Sequence, residues 1–114
     1  MSSRDQASMK GMTLFAVVRT KGSAWDPNRQ MRSQQQWSAH ASFMDRLAAD
    51  GFIVLGGPLG AGEEFLLAIR AADEDEVKFV LGQDPWSKSG ILDLKSIQTW
   101  TILLESPERY QSMR

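Results

Sequence analysis

The sequence predicts one α+β domain: a four-stranded antiparallel sheet with two helices on one face, in the order β-α-β-β-α-β. Three observations carry that prediction. Apolar runs of strand length recur between glycine-rich turns, and two other segments open on helix-capping residues. At 114 residues the chain holds one core and is too short for two.

The first strand covers residues 12–20, with the continuously apolar centre Leu14-Phe-Ala-Val-Val18. After the turn-rich Lys21-Gly-Ser-Ala-Trp25, Asp26-Pro27 reads as an N-cap with proline in the first helical position. A helix is therefore expected over residues 28–50, stopped by Gly51. Arg29, Arg32 and Arg46 read as its solvated face, and Gln34-Gln-Gln36 as its surface. Phe52-Ile-Val-Leu55 is the second strand, ended by Gly56-Gly57-Pro58. Residues 63–70 form the third, around Phe65-Leu-Leu-Ala-Ile69. Asp73-Glu-Asp-Glu76 is a capping-box pattern that opens a second helix, apolar at Val77, Val80 and Leu81 and stopping near Gly82. A loop with Asp84-Pro85-Trp86 and Gly90 follows, then a short strand near residues 91–94 and a last strand at residues 99–104. With right-handed crossovers this order gives the ferredoxin-like plan. The domain spans residues 12–105, between tails at residues 1–11 and 106–114 that are expected to be flexible.

Two helices cover one face of a sheet, yet all four strands read as apolar on both. Some of Phe15, Val17, Ile53, Leu55, Leu67, Ile69, Ile102 and Leu104, or their neighbours, would be left wet. At roughly 1.5–3 kcal/mol per large side chain, four of them forgo about 6–12 kcal/mol. That is comparable with the stability of a whole domain. A second copy is the simplest cover, so a sheet-to-sheet homodimer, a dimeric α+β barrel, is expected.

Composition excludes several classes. A net charge of −1 with no Lys/Arg stripe argues against nucleic-acid binding. The absence of cysteine removes disulfides, thiol catalysis and thiolate metal sites, and fits a reducing compartment. No apolar run nears the ~20 residues that span a bilayer, and the first ten residues lack a signal-peptide core. A cytoplasmic protein with no membrane partner is the expectation.

The one histidine, His40, shares a helical stripe with Trp37, Met44 and Leu47, so it faces the sheet. On the helix alone a packed core histidine is the simpler reading. Topology then adds neighbours, because Gly56-Gly57-Pro58, Asp84-Pro85-Trp86 and the start of the first helix converge at one end of the sheet. A helix of that length is about 33 Å long and a seven-residue strand about 23 Å. The overhang puts Trp37 and His40 near the rim. Burial disfavours a charged imidazole and a nearby carboxylate favours it, opposing effects that suit acid–base work. Asp84 would orient the ring; a turn former or helix cap is an equal reading of it. Trp37 and Trp86 read as packing in preference to substrate platforms. One histidine and scattered carboxylates have no metal-ligand spacing, and no glycine loop opens a helix to hold phosphate. Ser38 lies on another helix face from His40, which argues against a Ser–His dyad.

Trp37-Ser-Ala-His40, Gly51-Phe-Ile-Val-Leu-Gly-Gly-Pro-Leu59 and Asp84-Pro-Trp86, in this order and spacing, resemble the YCII-related (YciI-like) family over residues 14–104. The resemblance implies a dimeric α+β barrel, with His40 and Asp84 as the catalytic pair and Gly57-Pro58 lining the same pocket. Trp37, Pro85 and Trp86 would complete the substrate site. One branch of the family carries Asp-Gly-Pro-Phe where this chain has Gly56-Gly57-Pro58-Leu59, so the chain looks closer to the His–Asp branch. Related families include cofactor-free isomerases, lyases and dehalogenating enzymes acting on small ring or carbonyl compounds.

The leading expectation is proton transfer on a small organic molecule without a cofactor, His40 acting as base or acid. A non-catalytic ligand-binding or regulatory module with the same pocket is the alternative. Haem held by His40 is a remoter third.

Overall fold

A computed structural model describes residues 12–107. Of the two expected tails, residues 1–11 and 108–114 lie outside the described residues. The elements run β1 (Thr13–Lys21), a 3-10 turn (Met31–Ser33), α1 (Trp37–Ala49), β2 (Ile53–Leu59), β3 (Glu64–Ala71), α2 (Glu74–Leu81), α3 (Pro85–Ser89) and β4 (Leu92–Thr99). The strands form one sheet in the order β2-β3-β1-β4, with every pair antiparallel. The fold is α+β and compatible with the ferredoxin-like plan.

Burial along β1 alternates with the pleat. Phe15, Val17 and Arg19 point inward, and their neighbours are only half-buried. Phe15 and Val17 lie opposite Ile69 and Leu67 of β3 and pack with Ile53, Leu47 of α1, and Val77 and Leu81 of α2. So Phe15, Val17, Ile53, Leu67 and Ile69 are covered within the chain. The opposite parity differs: Leu14, Leu55, Ala68 and Arg70 border an open hollow of about 550 Å³ together with Trp100 and Ile102. Leu55, Ile102 and Leu104 are exposed.

Helix α1 begins nine residues later than the spacing of Asp26-Pro27 predicts. Gln34 is the reason. Its buried side-chain amide accepts from the Asp26 N–H and donates to the carbonyls of Asp26 and Arg29. Those bonds close a loop over residues 26–34 that seats Trp25 and Met31 against Trp86. Gln36, at φ 63°, then turns the chain through left-handed backbone before the first helical bond, His40 N–H to Gln36 C=O. Arg29 and Arg32 consequently lie outside the helix, both exposed, and Gln34 is no surface residue.

α2 starts as the capping-box pattern predicts: Asp73 accepts from the Glu76 N–H, and Glu76 reaches back to the N–H of Ala72. β2 runs three residues beyond Gly56 and pairs Gly56, Gly57 and Pro58 with Leu67, Leu66 and Phe65. An edge strand tolerates proline, and the chain reverses instead at Gly60 and Gly62, whose φ of 51° and 90° favours glycine. The last strand is residues 92–99, not 99–104. Only Leu92 of it is buried, as suits an edge strand, while the apolar run after it leaves β1 behind. Trp100 still donates to the Leu14 carbonyl, but Leu103 and Leu104 are 85% and 92% exposed. Among the described residues no helix is long and apolar enough to cross a membrane.

Candidate active site

The first turn of α1, the end of β1, the glycine stretch of β2 and the cap of α3 meet around a cavity of about 200 Å³. His40 reaches it because the helix starts there. Thirteen residues make α1 only about 20 Å long, so the expected overhang does not exist. Trp37, His40 and Met44 line the cavity, while Leu47 of the same stripe enters the core.

Asp84 is both the cap and the partner that the sequence left as alternatives. It is fully buried, and its Oδ1 accepts from the Trp86 N–H at 3.0 Å, capping α3 with Pro85 at the helix start. The same carboxylate lies 2.9 Å from His40 Nδ1 through both oxygens. A carboxylate only accepts, so Nδ1 carries the proton and the lone pair of a neutral ring sits on Nε2. Nε2 makes no hydrogen bond among the described residues and is not a buried orphan, which leaves it open to the cavity. Trp86 holds the ring from behind, stacked on it at 3.8 Å and 6°. The Trp86 indole is pinned in turn by donating to the Gln35 carbonyl at 2.7 Å.

Arg19 was not among the residues expected here. Only 2% exposed, it donates from Nη1 to Asp84 Oδ2 at 2.9 Å and from Nη2 to Ser87 Oγ at 2.7 Å. Ser87 passes the chain on by donating to the Leu81 carbonyl. The available signal was period two: Arg19 follows Phe15 and Val17 on the inward face of β1. A cation in that phase must find a buried anion. Burial pushes the Asp84 carboxyl up, but hydrogen bonds from His40, the Trp86 N–H and Arg19, with the Arg19 charge, outweigh it. Its pKa falls below the ordinary aspartate value of 3.8, so the carboxylate stays ionised.

Of the other expected residues, Gly57, Pro58 and Trp86 border the cavity, and Asp84 lies behind the imidazole rather than at the surface. Pro85 does not line it; its place is the first turn of α3. Gly56 has the stronger steric role of the two glycines. A Cβ there would lie 2.5 Å from Leu67 Cδ2, whereas one at Gly57 would meet nothing within 4 Å. Among the described residues no group of three His, Cys, Asp or Glu side chains is placed to hold a metal ion.

No protein-family model matches the chain, and no curated protein matches it.

Proposed function

We propose that this chain is a small-molecule enzyme of the YCII-related, dimeric α+β barrel type, performing cofactor-independent proton transfer. One observation carries the reading: a single imidazole, fixed at Nδ1 by a buried carboxylate, turns Nε2 to an apolar cavity of about 200 Å³. A neutral His40 takes a proton at Nε2 from a carbon beside a carbonyl or on an activated ring, and can return it to a neighbouring carbon. Asp84 stabilises the imidazolium that forms without itself being protonated. Arg19 keeps Asp84 ionised and in place. Backbone N–H groups near Gly57 would steady the developing oxyanion.

The measurement is solvent-deuterium incorporation into a panel of small carbonyl compounds, followed by NMR. His40→Gln keeps a donor toward Asp84 but lacks a base, and it should slow incorporation by about 10²–10⁴-fold. Equal incorporation by both proteins would contradict the role of His40.

In this reading the helices cover one sheet face and the other face meets a second copy. Leu14, Leu55 and Trp100 would lie in the contact, and Ile102 to Leu104 would gain cover. Sedimentation should show a dimer that dissociates on dilution, and Leu55→Glu should weaken it. A monomer at every concentration would contradict the barrel.

A further inference from the structure

The charges around the cavity restrict what can enter it. Among the described residues Arg19 is its only permanently charged lining residue, and that charge is already spent. The guanidinium is bound to the ionised Asp84 at 2.9 Å and to Ser87, with 2% of its surface exposed. Arg19 and Asp84 together are neutral, and with the neutral imidazole that the proposed mechanism requires the cavity carries no net charge. The remaining wall is apolar, chiefly Trp37, Met44, Phe65, Leu67 and Leu92. An anion moved here would lose part of its hydration and meet no unpaired cation, which is the costly case for a buried charge. A neutral molecule loses far less and gains aromatic contact.

Size narrows the class further. An apolar cavity of about 150 Å³ holds benzene, and this one is about 200 Å³. One ring with a small substituent fits, whereas drug-sized ligands occupy roughly 300–1,000 Å³.

We infer that the cavity selects an electrically neutral, single-ring compound bearing one hydrogen-bonding oxygen, and rejects the carboxylate of the same size. The inference rests on the proposal that the His40 cavity is the ligand site. A hydroxyl O–H or an acidic C–H faces the lone pair of Nε2, and the ring lies against the tryptophans.

Acetophenone with benzoate, and cyclohexanone with cyclohexanecarboxylate, make two size-matched pairs. Each is titrated into the full chain at pH 7.5 while the His40 ring signals are followed by NMR; His40 is the only histidine, so they report this cavity alone. Each ketone should shift those signals at a concentration at least tenfold below its carboxylate. Carboxylates binding as tightly as ketones, or no response to either ketone up to its solubility, would overturn the inference. The same samples, in deuterated solvent, report exchange at the carbons beside each carbonyl. Ketone-selective binding without exchange would support the inference while removing the proton-transfer function.

Discussion

Arg19→Met should destabilise the folded chain by about 3–5 kcal/mol at neutral pH, the usual cost of leaving one partner of a buried ion pair alone. Asp84 has 0% exposure, so water cannot take over the lost donor. The loss should depend on pH. In the wild type the folded pKa of Asp84 lies below 3.8. The stability this confers is complete above the ordinary aspartate range and is lost as pH falls through the folded value. Without Arg19 the burial effect is less opposed, so Asp84 takes up a proton at higher pH and the variant is relieved sooner. Urea midpoints of the two proteins should therefore converge on acidification. Adding Asp84→Asn to Arg19→Met removes the stranded charge and should restore about 1 kcal/mol or more. Strictly additive losses, or a gap that widens in acid, would show that the pair is not coupled as described.

Trp86→Ala should cost a similar amount, about 3–5 kcal/mol, the range for emptying a buried aromatic site. The indole is fully buried and packs with Ile91, Leu92, Trp25 and Met31, besides backing His40. Its removal would join a void to the neighbouring cavity and free the imidazole to tilt. Trp86→Phe keeps a ring against His40 and loses the bond to the Gln35 carbonyl. Gln35 is exposed, so water replaces that donor and the loss should stay near 1 kcal/mol. Thermal or urea melts separate the two variants. Equal losses would mean that ring volume is not what Trp86 supplies.

The strand and helix order was legible because its punctuation is local. Gly51 stops α1 in left-handed backbone, and Asp73 with Glu76 opens α2 through bonds a few residues apart. His40 and Asp84 were legible as neighbours through helix periodicity and strand order, although the overhang invoked to bring His40 to the rim does not exist and the ring reaches it because α1 starts there. Arg19 was not, because five apolar residues before it made β1 look uniformly buried, and its partner lies 65 positions away. The start of α1 failed for the same kind of reason. Asp26-Pro27 is a good local cap, but Gln34 binds the backbone of Asp26 and Arg29 and folds the segment back on Trp86. β4 was misplaced because an edge strand needs few apolar residues, while the greasier residues 100–104 had no neighbour left to pair with.

Everything proposed for the site depends on which ring nitrogen of His40 carries the proton. Long-range ¹H–¹⁵N correlation of the imidazole at mildly alkaline pH reads this directly, and the chain has one histidine to assign. A neutral ring protonated at Nδ1 and bare at Nε2 is the expected result, with Asp84→Ala releasing it to a mixture of both forms. A ring protonated at Nε2 in the wild type would leave no base facing the cavity and would contradict the mechanism.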